Sequence, residues 1–532
     1  MYQDKKTGLF LPDNARPQTS GYSEAAASLV RRAFKGFNAR SGSPAEDIDW
    51  NNMTLRQRGR MLYMSAPLAT SAINTNRTKA VGVGLTLKAS IDRKTLGLSQ
   101  DAAKEWQEHT EAEFRLWSSR KDACDSTGIN NFAAMQQLAL VAWLMSGDVF
   151  PLLTRREPDS IRPYSLRVRL IEADLVRTPV EYGGVLYPGI SFGTNPDTGN
   201  RIFDGVEVDS SGMVVAYYVH DTYPYEITAA EDHWERVTVY GKRTGLPNIL
   251  HIMSSERPGQ YRGVTYLAQV MEPLLQLRRY TDSALTMALV QSYFTAWIIT
   301  RSDPEIIPMN EVGSGLVGVP GGAPEAPRGE NEYGMSPGTI NVVPEGADVR
   351  FGNPTMPVAS FDTFVGTFCK LIGAGLGIPY DVLVKEYNSS YSAARAALLD
   401  AWEDFRMRRT WFVDDFCQPV YEVWLAEAVA RGRIKAPGFF DDPLLRAAWC
   451  GAQWIGPIQN SIDPKKEAEA AVIQIQHALK THEQATMEMN GEFWDKNVEQ
   501  LARENAQLKA AGGTNAPNPA AQAEPKETNE EG

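Results

Sequence analysis

Cysteine is scarce in this 532-residue chain: Cys124, Cys369, Cys417 and Cys450 stand far apart, with no Cys-x-x-Cys spacing. That argues against a disulfide framework and for reduced, buried thiols. Histidine is scarcer relative to length. His109, His220, His233, His251, His477 and His482 form no His-Glu-x-x-His or other metal spacing, so no histidine-built metal centre is expected. Positive charge is in deficit as well, 53 Lys and Arg against 65 Asp and Glu, for a formal net charge of −12. A protein gripping nucleic acid over its whole surface needs clustered cations, and this balance excludes it. It leaves room for one past which DNA must slide. Long apolar runs are missing too. The most hydrophobic helical stretch, Ala284–Thr300, is interrupted by Gln291 and Ser292 and is too short to span a bilayer. The N-terminus, MYQDKKTGLFLPDNARPQ, has no apolar core of a signal peptide. The expectation is a soluble chain made in the cytoplasm, without a membrane partner.

Two patterns that suggest enzymes fail on context. Gly313-Ser-Gly-Leu-Val-Gly318 fits the dinucleotide fingerprint, but Val-Pro-Gly-Gly follows where a helix N-terminus would have to bind the pyrophosphate. Gly189-Ile-Ser191-Phe-Gly193 fits a nucleophile elbow. It is followed by Thr-Asn-Pro-Asp-Thr-Gly, which is hairpin chemistry and not a helix start. A serine hydrolase using Ser191 is therefore the weaker alternative, and no cofactor is called for.

What is present is a helical and β-rich body of α+β class. Residues 1–60 are polar and locally basic, with one short helix expected at Ser23–Phe37. Thr54 reads as a helix N-cap, and further helices are expected over Ala66–Ala80, Asp101–Trp117 and Phe132–Met145. Short strands with turn signals follow to about His251. Tyr261 opens a helical run expected to reach Thr300. Proline and glycine crowd between Asp303 and Pro357, with a strand at Thr339–Val343. Asp463-Pro464 starts a set of C-terminal helices, and the chain from Ala510 on is compositionally a disordered tail.

The most informative stretch is Phe361–Trp424. One apolar-periodic segment ends in a glycine cluster and Ile378-Pro379. A second, with apolar residues at Ala394, Leu398, Trp402, Phe405, Phe412, Phe416, Val420 and Trp424, repeats at close to 3.5 residues. Between them lies a loop rich in hydroxyls and aromatics. Lys385, Tyr387, Asn388, Ser389, Ser390, Tyr391, Ser392 and Arg395 offer donors and ring faces without a strong positive field. Such a set suits weak, sequence-blind contact with a phosphate backbone, although an ordinary surface loop has the same composition.

Seven blocks in order resemble the lambda-type family of tailed-bacteriophage portal proteins. They include LRQRGRMLYMSAPLATSAINTNRTKAVGVGLTLK (55–88), CDSTGINNFAAMQQLALVAWLMSGDVFPLL (124–153), ERPGQYRGVTYLAQVMEPLLQL (256–277) and GAGLGIPYDVLVKEYNSSYSAARAALLDAWEDF (373–405). The resemblance implies a portal fold. Its parts would be an N-terminal arm (1–60), a wing (61–273), a stem of two helices (274–300 and 358–383) around a small β-containing clip (301–357), a tunnel loop (384–393), a long helix kinked at Pro419 (394–440), a helical crown (441–510) and a tail (511–532). It implies a ring, usually of twelve subunits, at one capsid vertex. Double-stranded DNA would pass through it, terminase would dock during packaging, a head-completion or adaptor protein would bind the clip, and major capsid and scaffold proteins would surround it. Assembly would occur in the host cytoplasm and the product would reside in the virion. The eight loop residues above would face the DNA. A different minor head or tail component is the alternative within the structural class.

Overall fold

The computed structural model describes residues 2–3, 10–11, 32, 41–184, 192–226, 233–292, 296–299, 340–343, 361–386, 391–459, 464–491 and 493–511. The expected Ser23–Phe37 helix apart from Arg32, most of the clip, Tyr387–Ser390, Gly313–Gly318, Ser191, Asp463 and the tail from 512 lie outside the described residues.

The fold is α+β, with its first helices packed under two antiparallel sheets. Ser43 begins the first of these helices, because its hydroxyl accepts from the Glu46 amide at 3.2 Å while the Glu46 carboxylate accepts from the Ser43 amide at 3.0 Å. This reciprocal cap launches a π-helical turn, Ala45–Asp49, that runs into the helix Trp50–Ser65. Thr54 therefore sits inside a helix that it was expected to start. Pro67–Asn76, Gln100–Ser118 and Phe132–Ser146 follow as the apolar periodicity predicts.

The larger sheets among the described residues are a five-stranded meander and a three-stranded sheet, beside three two-stranded pairs. In the meander Phe192–Thr194 pairs antiparallel with Arg201–Phe203 across the Asn195–Asn200 turn, so a hairpin follows the Ser191 motif where an elbow needs a helix. The central pair of the smaller sheet is Asp148–Arg155 with Leu166–Glu172. A large core of helix and strand side chains runs from Leu62 to Cys450, and a smaller one around Phe150, Phe203, Val206 and Tyr217 joins residues of both larger sheets. All four cysteines are buried and unpaired. No helix among the described residues is long and apolar enough to cross a membrane.

Two helix boundaries differ from expectation. Residues 261–267 are not helical, and the long helix begins only at Met271, with Pro273 in its first turn, where the missing amide is harmless. The reason is tertiary. Arg262 is drawn into a buried ion network, and Gly263 lies so close to Gly147 that a Cβ there would stand 1.9 Å from the Gly147 carbonyl oxygen. The same helix stops at Ser292, short of Thr300. Ala296–Ile299, whose Trp-Ile-Ile favours strand, instead pairs in parallel with Ile340–Val343.

The second half of the chain folds back over the first. Phe361–Leu376 packs beside Met271–Ser292, with Tyr280 against Phe361 and Phe364. The long 3.5-residue pattern forms the helices Tyr391–Phe412 and Gln418–Ala430, joined by the π-helical turn Val413–Cys417. Pro419 lies in the first turn of the second helix, and the π turn just before it absorbs the irregularity that its missing amide requires. Phe405, Phe412, Phe416, Val420 and Trp424 are buried along this seam. Further on, Ala452–Ile455 pairs antiparallel with Thr86–Ala89, a strand more than 360 residues earlier.

Candidate nucleic-acid interface

The candidate loop is held at both ends by well-packed elements. On its N-terminal side, Phe361–Leu376 ends in a Schellman closure. The Ile378 amide donates to the Gly373 carbonyl at 2.9 Å and the Gly377 amide to Ala374 at 3.4 Å. Gly377 supplies the positive φ of +63°, and a Cβ there would meet the Asp404 carboxylate at 2.4 Å. The glycine cluster is thus a helix stop built for close packing, and Pro379 prevents the helix from resuming at once. The short helix Tyr380–Val384 follows, pinned by its buried Val382 and Leu383 and by the Ser71 hydroxyl, which donates to the Leu383 carbonyl at 2.8 Å. Lys385, which is exposed, closes it in the left-handed region (φ 61°, ψ 38°). The Tyr380 hydroxyl donates to the Glu386 carboxylate at 3.2 Å.

On the C-terminal side the structure narrows the expected set. Tyr391 and Ser392 belong to the helix Tyr391–Phe412 and not to the loop, which leaves Tyr387–Ser390 as the connection between Glu386 and Tyr391. Arg395 is drawn to the Glu467 carboxylate at 3.5 Å on the helix Pro464–Gln476. With these side chains 39% and 32% exposed, the pair contributes under about 1 kcal/mol, and it tethers Arg395 without burying it. The structure therefore brings Lys385, Tyr391, Ser392 and Arg395 to the two rims of one short connection.

The neighbouring basic run is structural. Arg408 donates to Asn76 Oδ1 at 2.5 Å and lies 4.6 Å over the Tyr266 ring. Arg409 donates to three carbonyl oxygens, of Ala80 at 2.7 Å, Lys79 at 2.8 Å and Pro457 at 2.7 Å, and lies 5.9 Å from the Trp402 ring centroid. Burial, helped by Arg406 nearby, lowers its pKa to about 10, so it stays charged at neutral pH. It ties the long helix both to the C-terminal end of the turn Arg77–Val81 and to the segment leading into the last helices.

Sequence reasoning missed the main polar cluster of the body. Arg262, fully buried, donates to both carboxylate oxygens of Asp148 at 2.7 and 3.2 Å, to Asp204 Oδ2 at 2.9 Å, and to the carbonyls of Val176 and Ala173. Arg56 adds a second donor to Asp204 at 2.9 Å. Burial alone would raise the Asp148 carboxyl, but Arg262 and Arg56 outweigh it and hold it far below the usual range. The available signal was charged residues inside apolar blocks: Asp148 between Met145 and Val149, and Arg56 beside Leu55. Among the described residues no group of three His, Cys, Asp or Glu side chains is placed to hold a metal. Among the described residues, the loop's rims offer hydrogen-bonding groups and the exposed Lys385.

The phage portal protein family of lambda type matches residues 31–409. The chain belongs to that family. Among its relatives are the portal protein of Escherichia phage N15, 25% identical over 90% of this chain and 89% of its own length, and portal protein B of Escherichia phage lambda, 24% identical over 88% and 87%. A probable portal protein of Halomonas phage phiHAP-1 is 23% identical over 88% of this chain and 82% of its own. Among solved structures, a chain in the neck of a native GTA particle is 12% identical and covers 82% of this portal chain and 92% of its own length, with a TM-score of 0.37. The portal match contains the candidate loop, the helix before it, most of the helix Tyr391–Phe412 after it, and the buried Arg262 network.

Proposed function

We propose that this chain assembles into a closed ring, with twelve copies as the expected number, at one vertex of a phage capsid. Double-stranded DNA enters and leaves through its axis. The family match across residues 31–409 carries this reading. The helices Met271–Ser292 and Phe361–Leu376 are the stem, and they carry leucines that the single chain leaves bare, Leu285 at 62% and Leu371 at 58% exposure. Neighbouring copies supply the cover.

Within the ring, Lys385 and the connection Tyr387–Ser390, rimmed by Tyr391, Ser392 and Arg395, face the DNA. Hydroxyls, an amide and ring faces make contacts to phosphate and sugar that carry no sequence information and are individually weak. The acidic balance of the rest keeps non-specific adhesion low, so the duplex slides while the loops resist slippage. Terminase supplies the motor, a head-completion or adaptor protein meets the clip, and major capsid and scaffold proteins surround the ring during assembly in the host cytoplasm.

Replacing Tyr387–Ser390 by a shorter glycine linker tests the loop. Electron microscopy should show closed rings with a central hole for both the parent and the variant, while the variant packages or retains less DNA. Normal packaging with intact rings would remove the loop from the mechanism. A parent protein that stays monomeric under assembly conditions would count against the ring itself.

A further inference from the structure

The turn Ala45–Asp49, through which the N-terminal segment joins the body, meets the rest of the chain on two sides. On its outer side Arg257 donates to the Asp47 carboxylate and, at 3.0 Å, to the Gly42 carbonyl. The Arg257 and Asp47 side chains are 43% and 48% exposed, so this grip is weak and screened by salt. On its inner side Ala45 enters the smaller core, and the buried Asp49 joins the cluster around Arg262.

Two features of that inner side fail to balance if Asp49 is ionised. The first is charge. Three carboxylates, Asp49, Asp148 and Asp204, then face two guanidinium groups, Arg56 and Arg262. His251, which approaches Asp148 at 3.4 Å, does not supply the missing cation, because burial lowers its pKa. A surplus charge in a buried site is costly. The second is a pair of orphaned acceptors. Asp49 Oδ2 and Asn52 Oδ1 are both buried without a hydrogen-bond partner. Asn52 is fixed in place, since its Nδ2 donates to the Gly263 carbonyl at 2.9 Å. Asp49 and Asn52 lie three residues apart where the turn runs into the helix Trp50–Ser65, a spacing that puts side chains on one face. Two acceptors cannot satisfy each other, whereas a carboxylic acid O–H donates to an amide oxygen.

We propose that Asp49 carries a proton, shares it in a hydrogen bond to Asn52 Oδ1, and thereby forms a pH-sensitive latch that holds the Ala45–Asp49 turn on the body. One proton removes the surplus charge and gives both orphaned oxygens a partner. Burial first, and then Asp204, push the Asp49 carboxyl up to about 7, which agrees with a bound proton. When the proton leaves, Asp49 and Asn52 Oδ1 confront each other as acceptors beside Asp204, and the inner side no longer favours the closed turn. The exposed Arg257 grip is the polar anchor that remains. Arg262 keeps both Asp148 and Asp204, so the opening is local. The closed turn binds the proton more tightly than the open one. The latch is therefore strongest below the ordinary carboxylate value of 3.8, weakens as pH rises toward about 7, and changes little beyond.

Hydrogen exchange of the full-length protein tests it, followed by mass spectrometry on peptides covering residues 41–56 and corrected for the intrinsic pH dependence of exchange. Asp49→Asn replaces the acid by an amide that donates to Asn52 Oδ1 at every pH. Opening of the turn in the parent, relative to D49N, should rise about tenfold per pH unit from about pH 5.5 and level off above about 7. Peptides from Phe132–Ser146 should not follow this rise. Arg257→Gln should raise opening by the same factor at every pH, because the outer grip does not titrate in this range. An infrared difference between parent and D49N at about pH 6 reads the proton directly, as a protonated-carboxyl stretch present in the parent alone. Equal opening of the parent turn across the range, or a parent without that stretch, would show Asp49 ionised against Arg56 and overturn the latch. The same rise in D49N, or one shared by the whole chain, would overturn it too. Should D49N fail to fold, the profiles of the parent and R257Q still decide.

Discussion

At the scale of single residues, the buried network around Arg262 makes the sharpest demands. Removing one member of such a cluster leaves charges without compensation. Arg262→Met should therefore cost about 3–5 kcal/mol, since it takes the arginine from the fully buried Asp148 and leaves Asp204 to Arg56. Chemical denaturation of the full chain measures this, and a loss below about 1 kcal/mol would show that water reaches the site. Asp49 lies at the edge of the same cluster and behaves differently. Burial first, and then Asp204, raise its pKa from 3.8 to about 7, against the weaker pull of Arg262 and Arg56 and with a further push from Asp148. A folded-state pKa above the unfolded one means that the native chain binds the proton more tightly. This contribution is complete below 3.8 and is lost as pH rises toward about 7. Asp49→Asn should remove that slope, so the variant gains thermal stability relative to the parent at pH 8 and little at pH 4. Parallel melting profiles for the two proteins across this range would refute it. Glu207 sets the opposite trend. Burial pushes it up, but Arg236, Asn200, Tyr218 and Asn195 together hold it at about 2, so its contribution is present above 4.5 and fails only as pH falls toward 2.

At the scale of elements, periodicity was a good guide wherever local preference and burial agreed. The seam from Phe405 to Trp424 reads as one helix face in sequence and is one in the fold, with the π turn inserted at Val413–Cys417. Boundaries went astray where a distant partner intervened. Thr54 lost its capping role to the Ser43–Glu46 pair upstream, and Tyr261–Leu267 was kept from helix by the grip on Arg262 and the Gly147–Gly263 approach. The strand at Ala296–Ile299 replaced the expected end of a stem helix because Ile340–Val343 pairs with it. The candidate loop was legible in its N-terminal rim, Lys385, and less so at its far side, since nothing local announced that Tyr391 and Ser392 would join the next helix. The stem carries its own prediction. Leu285→Glu puts a charge on a surface that one chain leaves 62% exposed, so monomer stability should change by no more than about 0.5 kcal/mol. Ring formation, followed by light scattering, should fail. Normal rings from this variant would exclude Leu285 from the contact between copies.

At the scale of the whole molecule, two long-range closures turn a string of helices and hairpins into one body. Ala452–Ile455 completes a sheet with Thr86–Ala89, and Arg409 links Lys79, Ala80 and Pro457 through three carbonyls. The C-terminal segment is thereby fastened to the body, while Val498 and Leu501 of its last described helix stay exposed. By itself the sequence determined the α+β class, most of the helices, the acidic balance, and the seven ordered blocks that mark a portal. Those properties follow from residue chemistry and spacing along the chain. Only the tertiary structure decided which charged residues are buried together, where helices yield to strands, that Arg395 leans toward Glu467, and which face of Trp494–Ala510 looks outward. Each of these depends on contacts between residues far apart in sequence, and a local pattern carries no information about which distant segment will arrive.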